Sequence, residues 1–224
     1  MTAGRWPRLA LLCLLGPLNL GSRLAFRARL PQGHSCGRSH FSSLAAKRGH
    51  FQQRKMEMYV LTIPELKGAE IAICPCPGKR DRDLGSDLES LKTWGAEAVV
   101  TLVQDDELQM LDVADMGAQV RTRQMQWFHC PVPDFAAPGM YFEGAWVQRG
   151  DGAKVREILK RGGKVVVHCR GGIGRAGTVS CRLLVELGVC SPEKALLWVR
   201  ETRPGAVETW EQENHVLSLR SLEE

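Results

Sequence analysis

Cys169 and Arg175 bracket five residues, Arg170, Gly171, Gly172, Ile173 and Gly174, three of them glycine. The apolar run Val165-Val166-Val167 and His168 lead into this turn, and a helical pattern follows it. Each part has a chemical use. The thiolate of a cysteine is a strong nucleophile. Glycines accept φ > 0, so successive amides can curl toward one point and form a nest for an anion. A helix beginning there adds positive potential, which also favours the thiolate form of Cys169. Arg175 offers a planar fork that matches two oxygens of a phosphoryl group. Stabilisation by amides and a guanidinium calls for no metal and no other cofactor. The pattern is that of nucleophilic attack by Cys169 on a phosphoryl group held by residues 170–175.

Spacing alone is a weak signal, because Cys74 to Arg80 and Cys76 to Arg82 also bracket five residues. Prolines fall inside both of those segments and remove amide donors, and neither joins a strand to a helix. The plain alternative at 169–175 is a buried cysteine in a tight turn and a surface arginine. An arginine in the first turn of a helix, however, meets the unfavourable end of the dipole and calls for a negative partner.

The elements that must position this turn follow from periodicity. Glu70–Cys74 reads as a short strand, and Asp83–Trp94 as a helix stopped by Gly95. Ala98–Val103 and Lys164–His168 are continuous apolar runs of buried-strand type, and Gln126–Val132 is a further strand ended by Pro131 and Pro133. Helices are expected over 114–124, over 140–161 with an interruption at Gly150–Gly152, over 174–187, from Pro192 behind a Ser191 cap, and over 208–222. This alternation predicts an α/β fold with a central, mostly parallel sheet flanked by helices. In such sheets ligands bind beyond the C-terminal ends of strands, which is where the 169–175 turn lies.

His168-Cys169 through Arg175 resembles the active-site loop of the protein tyrosine phosphatase superfamily, and more closely its dual-specificity branch. Pro77-Gly78, Asp83-Leu84, Leu91-Lys92, Gly95, Val99-Val100-Thr101-Leu102, Phe128-His129, Pro131 and Asp134 extend the resemblance to the kinase-associated phosphatase (cyclin-dependent kinase inhibitor 3) family, over about residues 70–220. The resemblance implies a metal-independent phosphatase working through a phosphocysteine intermediate. It makes Cys169 the nucleophile, Arg175 the phosphate clamp and His168 a residue that holds the loop and tunes the thiolate. Asp134 lies 35 residues before Cys169, just after a strand. A carboxylic acid on a mobile loop is the usual proton source for a leaving oxygen. On its own Asp134 reads equally well as a turn aspartate; the resemblance makes it the general acid. Asp151, between two glycines, reads as a turn former, and His129 as structural. Gln212 is a candidate for positioning the hydrolytic water, as glutamines do elsewhere in the superfamily, against the plain reading of a helix-surface residue.

One departure from the family pattern concerns turnover. The residue after the motif arginine is usually Ser or Thr, and its hydroxyl helps the thiolate leave; here it is Ala176. Thr178 stands two residues on and points elsewhere on a helix. Formation of phosphocysteine is expected to be intact and its breakdown slowed. The loop carries one extra cation, Arg170, which favours a phosphoprotein substrate over a phosphoinositide; the family suggests a phosphorylated kinase as partner. A phosphoprotein-capture module of low turnover, a lipid or small phosphoester phosphatase, and a redox or sulfur-transfer enzyme using Cys130 or Cys181 are the competing readings.

Charge distribution excludes one further class. Residues 1–56 hold ten Lys or Arg and no Asp or Glu, whereas the rest carries 20 basic and 25 acidic residues. The overall +5 therefore comes from a tail and is no argument for a nucleic-acid-binding domain. The organisation expected is a basic, disordered tail over 1–55 and a phosphatase domain over 56–224. The apolar run Leu9–Leu20 is interrupted by Pro17 and too short to span a bilayer. The tail reads as an organelle transit peptide, Arg- and Ser-rich and acid-poor, or as sequence upstream of a true start at Met56 or Met58, in which case the protein is cytoplasmic; a secretory signal is the third reading. The eight cysteines have irregular spacing, which suits a reducing compartment and no zinc site.

Overall fold

The computed structural model describes residues 55–222. The expectations for the tail lie outside the described residues, except at Lys55. Five strands form one sheet: β1 (Tyr59–Ile63), β2 (Ala69–Pro75), β3 (Ala98–Thr101), β4 (Gln126–His129) and β5 (Lys164–Cys169), in the order β1-β2-β5-β3-β4. β1 runs antiparallel to β2, and every other pair is parallel. The α/β sheet expected from the sequence is therefore present. β5 is the middle strand, with Val167 opposite Ile73 on one side and Val100 on the other. A central parallel strand is covered on both faces, which is why Val165, Val166 and Val167 are apolar without alternation.

The pleat divides the core in two. Ile71, Ile73, Val100, Val165 and Val167 face one layer of helices, and Ala72, Cys74, Val99 and Val166 face the other. The second layer holds α1 (Leu84–Trp94), α2 (Asp105–Met110) and α3 (Met116–Thr122). The first holds α4 (Met140–Glu143), which runs into a wider π turn at Gly144–Gln148, then α5 (Asp151–Lys160), α6 (Gly174–Glu186), α7 (Pro192–Thr202) and α8 (Trp210–Leu217). Asp83 caps α1 by accepting from Ser86 N at 2.8 Å, and Ser191 caps α7 behind Pro192.

Several boundaries differ from expectation. β1 and α2 are too short to carry a period of their own, and tertiary packing creates them. β4 ends at His129 instead of Val132; the amides of Cys130 and Val132 still reach the carbonyls of Thr101 and Leu102, but Pro131 and Pro133 have none to give. The 140–161 helix, by contrast, is interrupted at Gly150 as expected, because a φ of 77° does not fit a right-handed helix. Asp151 is the first residue of α5, buried and bonded to Arg149 Nε at 2.8 Å, where a turn was expected. α8 starts at Trp210 behind a Thr209 cap and stops at Leu217, so Glu208 and residues 218–222 are not helical.

Candidate active site

The sheet delivers Cys169 at the C-terminal end of its central strand, and α6 begins five residues later. Between them the chain curls tightly enough for Gly172 N to donate to Cys169 Sγ at 3.2 Å. Gly172 makes this possible. Its φ is 66°, and a Cβ there would lie 2.4 Å from the backbone carbon of Cys74, so only a hydrogen fits against the end of β2. The loop is thus pressed onto β2, with Cys76 N bonded to Arg170 O and Lys79 Nζ donating to the same carbonyl at 2.9 Å.

Arg175 is buried despite its charge, with a side chain 1% exposed. Its negative partner is Glu107 on α2, which accepts from Nη1 at 2.6 Å and from Nη2 at 2.9 Å. Nη1 also reaches Val132 O, and Nη2 lies 2.8 Å from Asp134 Oδ1. Nε is buried and has no partner. A guanidinium pinned at both ends with one donor left unpaired is pre-set for a phosphoryl oxygen. Burial alone would raise the Glu107 carboxyl, but the hydrogen bonds from Arg175 and from Gln104 N, with the charge of Arg175, hold it below the usual carboxylate range.

Asp134 stands at the mouth of a cleft of about 290 Å³ shared with Lys79, Phe135, Arg170, Ile173 and Glu208. The loop that carries it is tethered to the start of α8: Thr209 Oγ1 donates to Phe135 O and Gln212 Nε2 donates to Ala136 O, both at 3.1 Å. Phe135 itself has φ 60°, a strained conformation for an aromatic residue directly beside the carboxylate. Gln212 is fully buried and not a helix-surface residue. Its Oε1 accepts from Glu208 N and Thr209 N, so most of the amide is spent on the α8 cap and the loop that carries Asp134.

His168 points to the opposite face of the sheet from Cys169. Burial pushes its imidazole down to about 3, so the ring is neutral, and Nε2 lies 2.8 Å from Thr101 Oγ1. Thr101 Oγ1 also accepts from Trp127 Nε1. His168 is thus tied to β3 on the face of the sheet away from the Cys169 side chain. His129 bonds to Val103 O and stacks on Trp127.

The other cysteines are differently placed. Burial pushes the thiols of Cys76, Cys130 and Cys181 up to about 12, which leaves them protonated near neutral pH. Arg82, in one of the spurious Cys-to-Arg spacings, is bonded to Asp87 and Cys76 O instead of curling over a sulfur. Among the described residues no group of three or more His, Cys, Asp or Glu is placed to hold a metal ion, and no helix is long and apolar enough to cross a membrane.

Sequence reasoning missed two carboxylates. Glu107 sits in the run Asp105-Asp106-Glu107, and nothing in that run marks which of the three turns inward. Glu208 lines the cleft and accepts from Gly174 N, the first amide of α6, at 2.8 Å. Its signal was faint: an acidic residue one position before a cap.

A central parallel strand that ends in a cysteine, a glycine loop curled over its sulfur, and a buried arginine with a free donor define a cysteine-based phosphatase. The family described as PTP-SAK, Swiss Army Knife protein, DSP-PTPase phosphatase domain, matches residues 78–216, and the chain belongs to that family. Cyclin-dependent kinase inhibitor 3 of Mus musculus is 28% identical over 155 residues, covering 67% of this chain and 71% of that protein. The Rattus norvegicus protein of the same name is 26% identical over 189 residues, covering 81% and 87%. Kinase associated phosphatase with a serine for its catalytic-site cysteine has the same fold, with a TM-score of 0.65 at 24% identity over 74% of this chain and 94% of that one.

Proposed function

We propose that this protein tyrosine/dual-specificity phosphatase acts on a phosphorylated protein, a kinase being the partner class suggested by the names of its relatives. Cys169 attacks phosphorus, the P–O bond to the side chain breaks, and Asp134 gives its proton to the leaving oxygen. Water, losing a proton to the Asp134 carboxylate, then displaces the Cys169 sulfur as thiolate and releases inorganic phosphate. The observation that carries this reading is the unpaired Nε of a buried, doubly anchored Arg175 whose charge acts on Cys169. A bound phosphoryl group competes with Asp134 for Arg175 Nη2, which frees the carboxyl to serve the leaving group. A reducing compartment such as the cytoplasm suits a mechanism that needs the free thiol of Cys169.

The test is hydrolysis of a phosphotyrosine peptide beside an aryl phosphate with an acidic leaving group. Cys169→Ser is expected to abolish both. Asp134→Asn is expected to slow the peptide by about 10²–10⁴-fold and the aryl phosphate far less, because only the poorer leaving group needs the proton. Equal losses on the two substrates would remove Asp134 from the acid role.

A second reading, capture of phosphoproteins with little turnover, is favoured by Ala176. Its methyl is fully buried next to Arg175, and the hydroxyl of Thr178 is committed to Gly174 O at 2.9 Å. Neither residue supplies a hydroxyl to the departing sulfur.

A further inference from the structure

A second cleft of about 330 Å³ adjoins the catalytic one, and Lys79, Gly171 and Ile173 line both. That volume falls at the small end of ordinary ligand clefts, roughly 300–1,000 Å³. Its walls carry four cations, Lys55, Lys79, Arg80 and Arg82, against one carboxylate, Glu57, which already accepts from Tyr59 OH at 2.9 Å. The loop between β2 and α1 that supplies three of these cations is held firmly. Buried Asp87 accepts from Gly78 N at 2.8 Å and from Arg82 Nε at 2.7 Å, Arg82 Nη2 donates to Cys76 O, and Lys79 is tied to the phosphate-binding loop.

Arg80 stands out on this rigid loop. It is exposed, has φ 68° and makes no hydrogen bond or ion pair among the described residues. A non-glycine residue in that region costs about 1 kcal/mol or more, so the loop holds a free guanidinium in a conformation it would not adopt alone. Burial and then the charges of Arg80 and Arg170 press the Lys79 ammonium below its ordinary value.

We propose that this cleft is a second phosphate subsite, so that the preferred substrate is a peptide carrying two phosphates, one at Cys169 and Arg175 and the other against Lys55, Lys79 and Arg80. The proposal rests on the phosphatase reading and deepens it. A peptide is favoured over an anionic lipid surface by the lining of the two clefts. The catalytic cleft is lined by exposed Phe135, whereas the second cleft is cationic, so an extended chain crossing both meets an apolar and then a charged wall.

The experiment uses the full chain. Binding of three probes to the Cys169→Ser protein is followed by fluorescence anisotropy: a peptide with one phosphotyrosine, the same peptide with a second phosphorylated residue nearby, and vesicles containing a phosphoinositide. The second phosphate is expected to tighten binding about tenfold at low salt, with the gain shrinking as salt rises. Adding Arg80→Gln and Lys55→Gln, both exposed positions outside the catalytic machinery, is expected to abolish that gain. The same two changes in the protein with Cys169 intact should leave aryl phosphate kcat/KM unchanged. Equal binding of the two peptides overturns the proposal, as does a gain that survives both substitutions or a preference for the vesicles. Peptide discrimination without any aryl phosphate turnover would support the subsite while refuting the enzyme reading.

Discussion

Replacing Glu107 by glutamine tests whether the clamp arginine works because it is held from behind. The side chain keeps its size and one acceptor but loses its charge, and it turns an NH₂ group toward the guanidinium. One of the two bonds to Arg175, at 2.6 and 2.9 Å, must go. Breaking one partner of a buried ion pair costs about 3–5 kcal/mol. Val132 O and Asp134 remain on Arg175, so a loss of about 2–3 kcal/mol of stability is the reasonable figure. The catalytic cost is separate. A misplacement of the clamp near 1 Å is worth about 10²-fold, so kcat/KM for an aryl phosphate should fall about 10–100-fold at a temperature where the variant is folded. Competitive inhibition by inorganic phosphate should weaken in parallel, since the same Nε donor is displaced. The pH dependence has a definite sign. The Glu107 carboxyl is held below its usual value of 4.5, so the stability it gives is present above that pH and lost as pH falls through the lower folded value. The difference in melting temperature between native and Glu107→Gln should close in that acid range. A variant with lowered Tm but native kcat/KM and native phosphate inhibition would show that Glu107 only braces α2, and the positioning argument would fail.

Three further outcomes are expected. Ala176→Ser should raise kcat, and a stopped-flow burst of aryl alcohol in the native protein should shrink in the variant; an unchanged burst would mean that breakdown of phosphocysteine is not limited by a missing hydroxyl. His168 is buried and neutral in the folded state with a value near 3, while an unfolded histidine titrates at 6.5. Its contribution is therefore full above 6.5 and declines as pH falls toward 3, at up to about 1.4 kcal/mol per pH unit, and chemical denaturation of His168→Gln should show a flatter acid slope. Gly172→Ala should destabilise by about 2–4 kcal/mol and strip activity, because it combines a left-handed φ with a contact of 2.4 Å to backbone that cannot yield; a soluble, active Gly172→Ala protein would contradict the close packing of the loop on β2.

Much of the architecture was legible in the chain. The Val165–Val167 run and Ala98–Val103 declared buried parallel strands, because a strand covered on both faces has no polar side to show. The Ser191 cap and the glycine stop at Gly95 placed helix ends, because those signals are local. Local signals also placed Cys169, the glycines and Arg175 in one turn. What the sequence by itself determined was this continuous segment, in which strand, nest, nucleophile and clamp lie within a dozen residues.

Only the tertiary structure decided what surrounds it. Glu107 is 68 residues from Arg175, and its inward turn depends on where α2 docks beyond β3. The tie from Gln212 to the Asp134 loop spans 76 residues, and Lys79 meets Arg170 O across 91. A charged side chain reads the same in sequence whether it faces water or a buried partner, since its cost or gain is set by desolvation and by the neighbour the fold brings up. For that reason the same chemical types, Asp105, Asp106 and Glu107, look alike in the sequence and only one of them holds the clamp.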